Sequence, residues 1–371
     1  MDTETLRADI PALEECCYLN TGASGPSPRR VVEAAAEFER EHQYRAPCAG
    51  GMYETAFDAL AETRDAVAEL LGADTSEIAL TQSTVDGINH VTNAIDWTEG
   101  DVVVRTDLEH PAGELPWARM CDIHGIEVRE LPTEQGRLDT DTLLDAVSDA
   151  RLVCLSSLSW NYGTRLPIEE VVDIAHDAGA QVLVDAVQSP GQHPLDVNEW
   201  GADFVAASGH KWLLGLWGAG FLYVDSSVVE ALEPRRIGYF SVEKEAESWS
   251  TEYQFYSDSR RFELGTTAVA QYVGLTEAIE TMQQVGLETI EDEISRLTDR
   301  LKDGLGDRLL TPRDSRSGLV TFEADDAEGL VERLANDGIH IRWVPEPKAC
   351  RVSVHAFNTE REIDRLLAAL D

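Results

Sequence analysis

The chain has 371 residues, of which 43% are hydrophobic and 27% charged. That composition excludes disorder, collagen-like repeats and coiled coils, and it supplies a substantial core without disulfides or metals. Thirty Lys and Arg stand against 69 Asp and Glu, a net charge of −39, so nucleic acid and anionic membrane surfaces are excluded as partners by repulsion.

The length predicts two domains or one large α/β unit at a typical ~150 residues each. Ser27-Pro28 reads as a helix start, N-cap then N1, with Val31, Val32, Ala35 and Phe38 at helical spacing behind it. A second helix is expected from about Glu54 to Leu71, stopped by Gly72. Strand-like runs follow at 77–80, 101–104, 151–158, 181–186, 203–208 and 220–224, with helices between several of them, such as Ile168 to Ala178. That alternation predicts a mainly parallel sheet covered on both faces. The stretch 241–261, with Trp249, Tyr253, Phe255 and Tyr256, is polar, aromatic and aperiodic, and reads as a loop over a pocket. Helices are expected at 267–284, 288–305, 327–336 and 359–370, and strands at 317–322, 339–344 and 351–354. The expected division is a large α/β domain over 16–260 and a smaller α+β domain over 261–371 that includes residues 1–15.

The acid is spread along the whole chain, and only Lys211, Lys244, Lys302 and Lys348 are lysines. Dispersed acid with scarce lysine resembles the proteins of salt-loving organisms, where screening tames self-repulsion. The six cysteines form no CxxC pair and no metal-ligand spacing, so no metal is expected. Cys154, in the apolar run RLVCLSSL, is expected in the core. The N-terminus carries no basic segment followed by an apolar one, and no apolar run approaches ~20 residues; a cytoplasmic protein is expected.

The run from 181 to 224 carries the chemistry. One strand ends in VDAVQS, with Asp185 and Gln188, and another in ASGHKWLLG, with Ser208, His210 and Lys211. In a parallel sheet, ligands sit beyond the carboxyl ends of the strands, so Asp185 and Lys211 are expected to face one crevice. A lysine amine with a carboxylate opposite is the minimum set for an imine-forming cofactor, the acid pairing with a pyridinium nitrogen.

VDAVQS, SGHKWLLG and FELGTT resemble the pyridoxal-phosphate enzymes of aminotransferase class V, a group that also holds cysteine desulfurases and isopenicillin N epimerase-like proteins. YLNTGASGPSP at 18–28, TQSTVDGIN at 81–89, LEHPAGELPW at 108–117 and RVSVHAFNTEREID at 351–364 extend the resemblance over nearly the whole chain, in the family's order. It implies the fold-type-I architecture, pyridoxal 5'-phosphate as cofactor, and a homodimer with shared active sites.

The resemblance assigns Lys211 to the Schiff base and to proton transfer, Asp185 to the pyridine nitrogen, and Gln188 to the ring hydroxyl. Thr84 and the backbone of Val85 would open a phosphate-binding helix start, with Ser208 and His210 adding donors. Thr266, in ELGTT, would reach the phosphate of the neighbouring subunit. His110 would stack on the ring and act as acid or base, and Arg351 would clamp the substrate's α-carboxylate.

Two departures from the family pattern bear on the reaction. The segment HIRWVPEPKAC before Arg351 has only Cys350, which adjoins the arginine, so the loop cysteine of a desulfurase is not evident. In SWNYGT, Trp160 stands where the family often has asparagine, so Asn161 receives no cofactor role. The expected function is an enzyme acting on a small amino acid through an external aldimine and a quinonoid carbanion, with aminotransferase ranked first. The alternatives are a cysteine- or selenocysteine-type C–S lyase or desulfurase, an epimerase and, outside enzymes, a non-catalytic scaffold. Intact Lys211, Asp185, His210 and Arg351 weigh against the scaffold.

Overall fold

The computed structural model describes residues 1–243 and 253–370; Trp249 of the aromatic loop lies outside them. In chain order the strands are β1 (Cys17–Tyr18), β2 (Ile78–Thr81), β3 (Val102–Thr106), β4 (Glu127–Leu131), β5 (Ala150–Ser156), β6 (Gln181–Asp185), β7 (Phe204–Ser208) and β8 (Gly220–Val224). Further along lie β9 (Leu319–Phe322), β10 (Ile339–His340), β11 (Arg342–Val344) and β12 (Ala349–Ser353).

Seven strands form the central sheet in the order β2-β8-β7-β6-β5-β3-β4. Neighbours from β7 through β4 are parallel, and β8 runs antiparallel to both β2 and β7. Strands covered on both faces read as unbroken apolar runs, which is why β7 and β8 are buried at every position. The strand β4, EVREL, sits at the sheet edge with only Leu131 buried. Its charges hide it from a hydrophobic-pattern reading and also blunt the edge against pairing.

The chain leaves β3 towards β4, then crosses back to β5 on the other side and continues to β6 and β7. Crossovers therefore diverge between β3 and β5, which places a crevice at their carboxyl ends.

The second sheet is antiparallel, in the order β11-β12-β9. Helices Leu287–Leu305, Ala327–Asn336 and Glu360–Leu370 bury Leu297, Leu301, Leu334, Ile363 and Leu366 with Val320, Phe322 and Val352 of that sheet. Each such aliphatic side chain taken fully from water is worth ~1.5–3 kcal/mol.

Two expected boundaries move. The helix after Ser27-Pro28 spans Arg29–Tyr44 with Pro28 as its cap residue and no side-chain cap, because the Ser27 hydroxyl donates to the Gly215 carbonyl at 3.3 Å instead. The run 339–344 splits at Ile341: β10 pairs in parallel with β1, while β11 pairs with β12. The two halves serve different neighbours. The described ends of the aromatic loop meet each other, with Glu243 N donating to Gln254 O and Tyr256 N to Ser241 O.

Candidate functional site

The carboxyl ends of β3, β5, β6 and β7, with the start of helix Thr84–Ala94, enclose a cleft of about 800 Å³ counted out to its mouth. It brings together Thr84, Val85, His110, Asp185, Gln188, Ser208, His210, Lys211 and Arg351 from five separate motifs. Thr266 is exposed and does not line this cleft; its amide donates to the Tyr239 hydroxyl at 3.1 Å.

Asp185 closes β6, fully buried, and its Oδ1 accepts the Val187 amide at 3.0 Å. Burial pushes its carboxyl up, against the pull of the Val187 amide and of Lys211. Lys211, on the turn after β7, is half-buried at the cleft. Burial brings its ammonium down to about 8, opposed by Asp185 and assisted by Arg351 and Arg342. A lysine near that value holds a useful fraction of free amine at neutral pH, as an imine-forming nucleophile requires. The loop YLNTGASG lies against this turn, where the Gly25 amide donates to the His210 carbonyl at 2.8 Å. A Cβ at Gly25 would stand 2.2 Å from the Lys211 carbonyl oxygen, so only glycine permits the approach.

Helix Thr84–Ala94 starts with Ser83 as its cap, whose hydroxyl accepts the Asp86 amide at 3.3 Å. Ser208, at the end of β7, meets the same turn through Thr84. Amides at a helix start, flanked by two hydroxyls, form an anion site. Val85 is 41% exposed and brings a side chain without polar atoms, so any ligation there is by its backbone. The His210 ring lies 5.2 Å from that of Trp217, and burial and Lys211 lower its pKa to about 4.

His110 precedes Pro111 on the turn after β3. Its Nδ1 accepts the Ala112 amide at 3.2 Å, which leaves Nε2 as the protonated nitrogen of the neutral ring. Burial, then Lys211 and the two arginines, brings its pKa to about 4. The Trp160 ring stands edge-on to it at 5.3 Å. Beside it Glu109, which the sequence reading missed, is wholly buried. It accepts from the Thr106 hydroxyl at 2.6 Å, the Ser156 hydroxyl at 2.7 Å and the Ser156 amide at 3.1 Å. Burial lifts it to about 7, with Asp185 adding to the rise.

Arg351 on β12 is buried, with Nη1 donating to the Trp160 carbonyl at 2.8 Å. Its Nε and Nη2, and the Trp160 indole nitrogen, are buried donors without a partner among the described residues. Buried guanidinium hydrogens left open are the recognition geometry of a carboxylate. Arg342, also missed, lines the same cleft from β11 and is the cross-strand partner of Arg351. Like charges directly opposite on a sheet repel, and together the two call for anionic ligand groups. Cys350 sits between strand neighbours on the other face, its thiol in the second core and 3.5 Å from the Ala327 carbonyl. Burial raises it to about 12. Asn161 accepts from the Ser159 hydroxyl at 2.7 Å and stays within its own turn.

The aminotransferase class-V family model matches residues 17–366. The chain belongs to this family. A probable cysteine desulfurase of Halobacterium salinarum is 33% identical over 408 residues, covering 100% of this chain and 96% of that one. The cystine C–S lyase C-DES in complex with its product cysteine persulfide superposes with a TM-score of 0.92 at 29% identity, over 97% of this chain and 98% of that chain. A lysine-to-alanine variant of C-DES with glycine covalently linked to its PLP cofactor gives a TM-score of 0.93 at 29% identity, over 98% of each chain. This chain is a class-V enzyme of the α/β fold-type-I architecture, and its cofactor is pyridoxal 5'-phosphate. The donor set fits that group: a half-buried lysine, a buried carboxylate, a helix-start anion site and a cleft between them. Cysteine desulfurases and C–S lyases cleave carbon–sulfur bonds, so the expected aminotransferase reaction is the less well supported reading and the alternative, a cysteine-type C–S lyase or desulfurase, the better one. No helix among the described residues is long and apolar enough to cross a membrane.

Proposed function

We propose that the chain is a C–S lyase acting on a small disulfide amino acid of the cystine type, releasing the sulfur as a persulfide of the leaving half. One observation carries the reading: the hairpin β11–β12 turns two arginines into the cleft and no thiol. Its connection, residues 345–348, contains no cysteine, and Cys350 faces the opposite core. A desulfurase that takes sulfur onto its own cysteine needs a thiolate at the cleft, whereas a lyase that lets the persulfide leave needs none.

Cystine carries two α-carboxylates. Arg351 would clamp the one on the reacting half, and Arg342 the one on the leaving half. When bound, the cofactor supplies an electron sink for the bond broken at Cα. Lys211 would hold it and move the Cα proton, while Asp185 would keep its ring nitrogen protonated. Thr84, Val85, Ser208 and His210 would bind the phosphate, and neutral His110 would pack on the ring. Cystine and water yield pyruvate, ammonia and cysteine persulfide, so no external reductant is required. The active form would be a homodimer, in which exposed Thr266 reaches the neighbouring subunit's phosphate; Trp217, 72% exposed beside His210, offers an apolar patch for that contact.

The test compares L-cystine with L-cysteine in Arg342→Leu and Cys350→Ala. Arg342→Leu should raise KM for cystine by about tenfold or more, the worth of a charge-assisted hydrogen bond, and leave the KM for cysteine nearly unchanged. Cys350→Ala should leave turnover intact. Persulfide found on Cys350, with turnover lost in Cys350→Ala, would establish the desulfurase reaction instead.

A further inference from the structure

Gln188 lines the cleft on the turn after β6, and groups of fixed hydrogen-bonding sense hold its amide from two sides. The Trp212 indole, which can only donate, gives its Nε1 hydrogen to Oε1 at 2.7 Å. The Gly22 carbonyl, which can only accept, takes a hydrogen from Nε2 at 3.1 Å. Turning the amide over would set nitrogen against indole N–H and oxygen against carbonyl, two buried mismatches at once. The orientation is therefore dictated by partner chemistry. Nε2 has a second hydrogen that no protein group among the described residues takes.

Trp212 follows Lys211 in the chain, is fully buried and has no room to turn. A Cβ at Gly318 would lie 2.4 Å from its Cη2, and one at Gly191 2.5 Å from its carbonyl carbon. Its ring stacks on His355 at 5.9 Å and 18°, and His355 stacks in turn on Phe357 at 4.8 Å and 14°. His355 Nε2 lies 3.0 Å from the Trp212 carbonyl, so Nε2 carries the ring hydrogen. Burial lowers the His355 pKa to about 4, and the sense of this bond holds through neutral pH.

We propose that Trp212, braced by His355, is a positioning residue that locks the Gln188 amide with an N–H towards the cofactor's ring oxygen. A fixed donor favours that oxygen as an anion, and so lowers the pH at which the bound cofactor's visible band titrates. The proposal rests on the assignment of Gln188 to the ring oxygen. The charged and titratable groups that face the same cleft are Lys211, Asp185, His110, His210, Arg342 and Arg351, whereas the Trp212 indole bonds Gln188 and its carbonyl bonds His355.

The experiment titrates the visible band of the holoenzyme. Trp212→Phe keeps the stacked ring and removes the indole donor; the titration should move up by about half a pH unit or more. Gln188→Ala should move it at least as far, and adding Trp212→Phe to Gln188→Ala should move it no further. Additive shifts would overturn the lock alone. No shift in Gln188→Ala would instead overturn the assignment beneath it. A second measurement leaves residue 212 unchanged, in case Trp212→Phe does not fold. With 15N-labelled tryptophan, Gln188→Leu should move one indole proton upfield by removing its acceptor. A spectrum in which no indole responds would contradict the proposal.

Discussion

Thr84 and Ser208 hydrogen-bond each other across the cleft, with Oγ1 and Oγ 2.6 Å apart and the Thr84 amide donating to the same Ser208 oxygen at 3.0 Å. They are 124 residues apart in sequence. One opens the helix after β2 and the other ends β7. The antiparallel insertion of β8 between those strands sets the spacing, and the one hydroxyl hydrogen that the pair does not spend on itself is left at the helix start, where an anion would be held.

From this pair we predict that Thr84→Val and Ser208→Ala each weaken cofactor binding by roughly tenfold or more, the worth of one hydrogen bond to a charged group. The double variant should lose less than the sum, because the two hydroxyls share a site. Fluorescence titration of the apoenzyme with pyridoxal phosphate measures it.

Glu109 accepts three neutral donors in a fully buried site. Glu109→Leu leaves the buried Ser156 amide, a donor only, without its acceptor. It should cost roughly 1–3 kcal/mol of stability, the penalty of an unsatisfied buried polar group, and lower kcat through the adjoining His110. Glu109→Asp, too short to reach both Thr106 and Ser156, should fail to restore either. Thermal melts and steady-state kinetics read the two effects separately.

The buried His355 ring has its pKa lowered to about 4. The unfolded chain therefore binds a proton there between about pH 6.5 and 4 that the folded chain does not, and stability falls as pH falls through that window. Glu109, raised to about 7, works in the opposite sense: its folded form binds the extra proton between about pH 7 and 4.5, and stability rises on acidification. In His355→Gln the acid-side loss should flatten by about one proton, ~1.4 kcal/mol per pH unit. Urea unfolding of the apoenzyme at several pH values checks the slope.

The acidic surface gives a prediction about salt. With a net charge of −39, self-repulsion is screened as ionic strength rises. The melting temperature should climb between low salt and molar potassium chloride, and the dispersed acid shared with proteins of salt-loving organisms would then have its physical role. A melting temperature insensitive to salt would remove that reading.

Much of this was legible in the sequence because it depends on local rules. The runs at 181–186, 203–208 and 220–224 are doubly buried strands, and doubly buried strands announce themselves as apolar blocks. Lys211 and Asp185 follow from the carboxyl-end rule once those strands are placed. Glu109 and Arg342 were not legible, since an acid beside a histidine and an arginine in a polar hairpin look like solvated residues until the sheet order brings Ser156 and Arg351 opposite them. The strand β4 was missed for a related reason: an edge strand keeps its charges. Ser27 misled as a cap because its partner, Gly215, lies far along the chain.

The measurement that bears most directly on the central claim is the sulfur and carbon balance when the holoenzyme turns over L-cystine. The account predicts pyruvate and ammonia in equal amounts, with one cysteine persulfide in solution for each and no sulfur left on the protein. Alanine as the carbon product from L-cysteine, with persulfide bound to an enzyme cysteine, would contradict it.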